Sequence, residues 1–125
     1  MTNDVIHTAL RVSDIDATLD FYVDGLGLEL NWEFTSDGVR NVYVGGDDGE
    51  FQFKYDPDSD DPVGPAGGFD HLAVGVDSTD ETFERLVDHS DPSVVTEPTT
   101  MEDIGRRVAF VEDPDGYVVE LVERV

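Results

Sequence analysis

Cysteine is absent from this 125-residue sequence. Disulfide bonds, thiolate metal ligands and a cysteine nucleophile are therefore excluded. Long apolar runs are absent too: the N-terminus does not read as a signal peptide, and no segment approaches the roughly 20 apolar residues of a membrane-spanning helix. We therefore expect a soluble, cytoplasmic protein.

Basic residues are scarce, with seven Lys and Arg against thirty Asp and Glu and a formal net charge of −23 at pH 7. Lys54 is the single lysine. Nucleic acids and anionic membranes are poor partners for such a chain, because both bind basic surfaces. Trp32 and eleven Tyr and Phe residues still favour a folded domain over disorder. This acidic composition is typical of proteins from salt-accumulating, halophilic organisms, where high ionic strength screens self-repulsion.

The two halves of the sequence resemble each other, which predicts an internal duplication. Five residues of the first half recur 64 positions later, pairing His7 with His71, Ala9 with Ala73, Val12 with Val76, Asp16 with Asp80 and Thr18 with Thr82. Further along each half the offset becomes 68, so that Gln52 corresponds to Glu120. Matching element order in both halves supports the duplication.

Each half is predicted to follow the order strand, helix, strand, strand, strand. Helix starts are expected at the capping-box-like sequences Ser13-x-x-Asp16 and Ser78-x-x-Glu81. The predicted strands cover residues 4–11, 28–35, 39–44 and 50–55, then 69–76, 93–97, 106–112 and 117–123. We therefore predict a single α+β domain of two tandem βαβββ modules, residues 1–56 and 69–125, joined by a Pro- and Gly-rich linker at 57–68.

Four of these strands carry one apolar face and one face with a single potential metal ligand at its middle. These ligands are His7, Gln52, His71 and Glu120. A cupped mixed sheet with a polar concave side would need this pattern. Two imidazoles, an amide oxygen and a carboxylate suit Ni²⁺, Co²⁺, Zn²⁺, Mn²⁺ or Fe²⁺ better than Ca²⁺ or Mg²⁺. The alternative is that the histidines are structural and that Gln52 and Glu120 are merely exposed.

The whole chain resembles the vicinal-oxygen-chelate (VOC) superfamily, and "HTALRVSDIDATLDFYVDGLGLEL" (7–30) and "AFVEDPDGYVVELVE" (109–123) resemble glyoxalase I, the lactoylglutathione lyase, in particular. The resemblance implies the glyoxalase/bleomycin-resistance/dioxygenase fold. It also implies that His7, Gln52, His71 and Glu120 bind one divalent metal, with Ni²⁺ or Co²⁺ favoured over Zn²⁺, and Mn²⁺ or Fe²⁺ last. A homodimer is common among members of this fold.

The resemblance further implies a substrate and a reaction. Glyoxalase I converts the hemithioacetal of methylglyoxal and a thiol into a 2-hydroxyacyl thioester through a metal-stabilised enediolate, thereby detoxifying methylglyoxal. Glu120 corresponds to the carboxylate that moves the proton between adjacent carbons. Arg11 would hold a carboxylate of the thiol, and its ordinary alternative is a salt bridge with surface acids.

Two residues depart from the glyoxalase I pattern. Gln52 stands where the bacterial-type enzymes have a second Glu, so Glu120 would act alone as the base. Asp56 stands where an Asn usually contacts glutathione, and its charge would repel the glutamyl carboxylate. The composition of a salt-accumulating organism suggests γ-glutamylcysteine as a shorter thiol, and CoA is the other alternative. Alternative functions are a methylmalonyl-CoA epimerase-like enzyme, which has a similar ligand set, an extradiol-type dioxygenase and a metal-free binding protein.

Overall fold

Each half of the chain builds its own four-stranded sheet in the computed structural model, which describes residues 2–125. The first sheet has the order β1-β4-β3-β2, with β1 parallel to β4 and the other neighbours antiparallel. A short helix, α1, continues into a π-helical segment after β1. These elements are β1 (His7–Arg11), α1 (Ile15–Leu19), the π-helical segment Asp20–Gly25, β2 (Glu29–Ser36), β3 (Val39–Gly45) and β4 (Glu50–Tyr55).

The second half repeats this arrangement. Its sheet has the order β5-β8-β7-β6, and β5 is parallel to β8. The elements are β5 (Leu72–Gly75), α2 (Thr79–Ser90), β6 (Val94–Met101), a 3₁₀ turn (Glu102–Ile104), β7 (Arg106–Glu112) and β8 (Val118–Arg124). The predicted α+β fold of two βαβββ modules is thereby confirmed, with two separately hydrogen-bonded sheets.

Chain contacts divide the described residues into two units, which we call unit 1 (through Val63) and unit 2 (Gly64–Val125). The predicted linker 57–68 spans this boundary. Within residues 2–125, no helix combines the length and the apolar character needed to cross a bilayer.

One face of each sheet packs against the helix of its own unit, as the strand pattern predicts. In unit 1 the ring of Tyr22 lies 4.7 Å from that of Phe53, and both side chains are fully buried. In unit 2 Leu86 of α2 and Leu121 of β8 are fully buried. Burying an apolar side chain of this size stabilises the fold by about 1.5–3 kcal/mol relative to leaving it exposed. The helices therefore cover the apolar faces and leave the opposite faces for other roles.

The N-cap of α1 is Asp14, and the prediction of Ser13 is wrong. The Asp14 side chain accepts a hydrogen bond from the backbone N–H of Ala17 at 3.1 Å, and α1 begins at the next residue. In unit 2 the predicted cap is confirmed, because Ser78 accepts from the N–H of Glu81 at 3.2 Å. Either side chain supplies an acceptor for the otherwise unpaired N–H groups of the first turn.

Several predicted strand ends are also wrong. β1 begins at His7, whose partner Glu50 is the first residue of β4, and β5 begins at Leu72, which pairs with Val119, so each strand begins three residues later than predicted. β6 continues through Pro98 to Met101, where the sequence predicted an end at residue 97. Proline cannot donate to a sheet, but it is tolerated here because β6 lies at the sheet edge.

Candidate functional site

Unit 1 places His7 and Gln52 on neighbouring parallel strands and on the face away from α1. Ala9 is the partner of Gln52 in the pairing of β1 with β4, so His7 lies diagonally across from Gln52. The edge of the His7 ring meets the Tyr43 ring at a centroid distance of 5.5 Å and an interplanar angle of 82°. Tyr43 is itself the β3 partner of Gln52. An aromatic side chain thus stands beside both candidate ligands.

Unit 2 repeats this geometry with His71 and Glu120. Ala73 is the β5 partner of Glu120, and Phe110 is its partner on β7. The His71 ring meets the Phe110 ring at 5.4 Å and 86°. The two units therefore share strand register, histidine position and aromatic neighbour. This agreement is what a duplicated site requires.

His71 and Glu120 are in direct polar contact. His71 Nε2 lies 3.1 Å from Glu120 Oε1, and the Glu120 side chain is only 16% exposed. The other ring nitrogen, Nδ1, bonds to the Asp70 carboxylate at 2.5 Å. This contact with Asp70, followed by the negative charge of Glu120, raises the pKa of His71 above 6.5, although desolvation opposes the rise. The Nε2 atom is therefore the one available to a metal, which would displace its proton.

Arg11 lies on the same face as His7, as predicted, at the end of β1. Its guanidinium donates to Ser59 Oγ at 2.9 Å and lies 3.7 Å from Asp61 Oδ2. The structure therefore contains the surface salt bridge that the sequence analysis gave as the alternative. Its side chain is 46% exposed, so a carboxylate from solvent could reach it. A substrate role for Arg11 stays a prediction.

The candidate ligands form two pairs, one in each unit. Within residues 2–125 no three His, Asp or Glu side chains cluster closely enough to hold a metal ion. The donors nevertheless fit a divalent transition metal. The Nε2 of His71 and a carboxylate oxygen of Glu120 already converge, and imidazole with carboxylate is a common donor combination for Zn²⁺, Ni²⁺ and Co²⁺. That all four residues bind one metal stays a prediction.

Two aromatic residues of the site, Tyr43 and Phe110, were missed by the sequence analysis. Both lie on the middle strands β3 and β7, whose register against β4 and β8 is not encoded by strand alternation alone. The usable signal was their place in the two predicted strands "VRNVYV" (39–44) and "RRVAFVE" (106–112).

Comparison with known proteins adds independent findings. The family described as "Glyoxalase/Bleomycin resistance protein/Dioxygenase superfamily" matches residues 5–121. The "Probable lactoylglutathione lyase" of Synechocystis sp. is 35% identical over 125 residues, covering 95% of this chain and 94% of that protein. Curated relatives from Haemophilus influenzae and Neisseria meningitidis, at 34% and 35% identity, are named lactoylglutathione lyase.

Solved structures agree with these matches. Glyoxalase I of Leishmania major, described as trypanothione-dependent, superposes with a TM-score of 0.82 at 26% identity, covering 98% of this chain and 88% of that one. Glyoxalase I of Zea mays gives a TM-score of 0.83 at 25% identity over 96% of this chain. The chain spans 44% of the length of the maize protein.

Proposed function

We propose that this chain, which belongs to the Glyoxalase/Bleomycin resistance protein/Dioxygenase superfamily, isomerises a methylglyoxal–thiol hemithioacetal to a 2-hydroxyacyl thioester. Its curated relatives are named lactoylglutathione lyase or probable lactoylglutathione lyase. The contact between His71 and Glu120 carries this proposal. It sets one partly buried carboxylate, on a face free of the helix layer, beside an imidazole that can bind a metal.

The metal site we propose consists of His7, Gln52, His71 and Glu120, holding one divalent ion with Ni²⁺ or Co²⁺ favoured over Zn²⁺. When bound, such an ion supplies Lewis-acid chemistry, acidifying the carbon-bound proton and stabilising negative charge on the two vicinal oxygens of the substrate. His7 and His71 would donate ring nitrogens, Gln52 its Oε1 and Glu120 a carboxylate oxygen.

Proton transfer is assigned to Glu120. A carboxylate can take the proton from the thiol-bearing carbon and return it to the adjacent carbon, while the hydroxyl proton passes from the oxygen of the first carbon to that of the second, so that the product is an isomer of the substrate. Gln52, its counterpart in unit 1, cannot take a proton near neutral pH. A mechanism with two alternating carboxylates is therefore unavailable to this chain, and Glu120 acts alone.

The thiol that completes the substrate is proposed from the charges near the site. Arg11 would hold a carboxylate of the thiol, while Asp56, directly after β4, would repel the glutamyl carboxylate of glutathione. Asp56 does not distinguish γ-glutamylcysteine from glutathione, because both carry this carboxylate, and it is the acidic, halophile-like composition that supports γ-glutamylcysteine as the alternative thiol. Glyoxalase I of Leishmania major, which is described as trypanothione-dependent, is a precedent for such variation among relatives.

The proposed location and oligomeric state rest on the sequence. We place the enzyme in the cytoplasm of a salt-accumulating cell, as a homodimer built from modules 1–56 and 69–125 with the linker 57–68. The net charge of −23 supports a salt-accumulating cell, since dense carboxylates stay hydrated at high ionic strength. Sedimentation at high and low salt would test the dimer, which we expect to persist at high salt.

The proposed activity is tested with purified protein and added Ni²⁺, Co²⁺ or Zn²⁺. We expect thioester formation from methylglyoxal with glutathione or γ-glutamylcysteine, and its loss after chelation. Failure with both thiols and all three metals would overturn the proposal.

A methylmalonyl-CoA epimerase-like activity is the second candidate, because that enzyme has a similar ligand set, but it also needs a second acid, for which Glu50 lies on the face that carries Gln52. Glu50 accepts hydrogen bonds from Asn31 Nδ2 at 2.9 Å and Trp32 Nε1 at 3.4 Å, so it is engaged elsewhere. Deuterium exchange from solvent into methylmalonyl-CoA, without thioester formation from methylglyoxal, would favour this alternative.

A further inference from the structure

A buried polar network surrounds Gln52 in unit 1. Gln52 Nε2 donates to Asn41 Oδ1 at 2.9 Å, and Lys54 Nζ donates to the same oxygen at 2.8 Å. The nitrogen of the same Asn41 amide, Nδ2, donates to the backbone carbonyl of Val39 at 3.1 Å. Asn41 is 2% and Gln52 8% exposed, so water has little access to replace these bonds.

The network fixes the orientation of the Gln52 amide, with Nε2 towards Asn41 and Oε1 on the other side. Turning the Asn41 amide round would aim its N–H groups at the ammonium of Lys54 and break the bond to Val39. Asn41 Oδ1 therefore stays an acceptor, and the amide N–H of Gln52 is its second donor beside Lys54. Within residues 2–125, the Gln52 side chain has no other hydrogen bond, so its Oε1 is left available. A carboxylate at position 52 would instead set oxygen against oxygen.

Unit 2 has no counterpart of this network. In its sheet the residues at the positions of Asn41 and Lys54 are Val108 and Val122, which are paired with each other as Asn41 is paired with Lys54. Glu120 there contacts His71 and needs no amide partner. The polar pair therefore occurs only beside the neutral ligand.

We propose that Asn41 and Lys54 are positioning residues that hold the Gln52 amide with its Oε1 directed to the metal and select glutamine over glutamate at position 52. The inference rests on the proposed function, because it takes Gln52 as a ligand. Outer-sphere partners of this kind orient a ligand and tune its affinity for metal. The single lysine of the chain thus acts inside the site rather than on the acidic surface.

The test measures Co²⁺ binding by calorimetry on the folded, full-length protein, without substrate. Asn41→Val and Lys54→Val introduce the residues that unit 2 carries at the same positions. We expect Asn41→Val to weaken Co²⁺ binding by about 10–100-fold, as loss of an outer-sphere partner does, and Lys54→Val to weaken it less. Asn41→Val should have no further effect in a Gln52→Ala background, because both changes remove one interaction.

Two matched measurements separate the possible failures. A His71→Ala variant that binds Co²⁺ like the wild type would overturn the proposed metal site itself. If His71→Ala weakens binding while Lys54→Val and a folded Asn41→Val do not, the positioning role is wrong and the proposed function stands. Should Asn41→Val not fold, NMR of the Gln52 side-chain amide decides: we expect slow hydrogen exchange in the wild type and faster exchange in Lys54→Val, and equal rates would refute the network.

Discussion

The two units share a backbone plan and differ in the charge of their candidate ligands. Both set a histidine two residues before the alanine that pairs with the second ligand, and both back that histidine with an aromatic ring. In unit 2 the second ligand is Glu120, in contact with His71. In unit 1 it is Gln52, tied to Asn41. Duplication has therefore kept the positions of the donors while confining the titratable carboxylate to one unit.

A second pair of counterparts diverges in the same way. Arg40 of β3 and Arg107 of β7 occupy equivalent positions. Arg40 pairs with Glu33 of the neighbouring strand at 2.9 Å, whereas Arg107 pairs with Asp80 of α2 at 2.7 Å. Polar partners outside the apolar core thus differ between the units. The register of β1, β4 and β3 matches that of β5, β8 and β7, whereas the edge pairing of β6 with β7 has one more register shift than that of β2 with β3. The comparison teaches that the two units share the register of the strands that carry the candidate ligands rather than any particular polar contact.

Exchanging the acid between the units should have the largest effect. We expect Glu120→Gln to lower kcat by about 10²–10⁴-fold, the usual contribution of a general acid–base group, with thermal unfolding little changed. Adding Gln52→Glu should not restore the rate, because Asn41 Oδ1 faces the new carboxylate. Steady-state kinetics on thioester formation measures both variants. Wild-type kcat in Glu120→Gln would show that Glu120 is not the base, and recovery in the double variant would show that the acid can serve from either unit.

The cores of the two units can be compared at counterpart residues. Phe53 and Leu121 occupy equivalent positions on β4 and β8, and both are fully buried. Phe53→Ala should destabilise the protein by about 3–5 kcal/mol and Leu121→Ala by about 2–5 kcal/mol, because each leaves a cavity. Chemical denaturation followed by circular dichroism provides the measurement. A loss of less than 1 kcal/mol of unfolding free energy at either position would mean that the helix does not pack closely against that face of the sheet.

The helix caps give a smaller effect. Asp14→Ala and Ser78→Ala should each cost about 1 kcal/mol of unfolding free energy, since each removes the acceptor of a first-turn N–H. Ser13→Ala is the control in unit 1, and we expect it to cost less than Asp14→Ala. A larger loss for Ser13→Ala would restore the capping box that the sequence suggested.

The smallest predicted effect is the pH dependence of stability that arises from the ion pair of Asp80 with Arg107. Its hydrogen bond with Arg107 holds the pKa of this carboxyl below 3.8. The pair therefore contributes stability above the pKa of the unfolded chain, and the contribution is lost as the pH falls through the lower folded pKa. In Arg107→Gln, carboxyl NMR titration should find the Asp80 pKa moved up towards 3.8. An unchanged pKa would mean that the ion pair does not persist in solution.

The sequence predicted the module order and the apolar faces, because strand alternation reports both directly. The predicted ends of β4 and β7 also match the observed ones, since turn residues flank these strands. Even the missed cap was within reach: the offset of 64 that links His7 to His71 also links Asp14 to Ser78.

The residues that lie opposite each other on neighbouring strands could not be predicted from the sequence. Side-chain phase says which residues share a face, but it does not say which residues of two strands stand opposite each other. The contact of Tyr43 with His7 and the bond from Lys54 to Asn41 both depend on that register. For this reason the candidate ligands were predicted without the residues that orient them.

Metal stoichiometry tests the central claim most directly: that the neutral pair of unit 1 and the ionisable pair of unit 2 serve one metal ion. Elemental analysis after saturation with Co²⁺ and removal of the unbound metal gives the number of ions bound to each chain in the wild type, His7→Ala and His71→Ala. The account predicts one ion per chain in the wild type and strong loss in both variants. Two ions per chain, or full retention in His7→Ala, would contradict it.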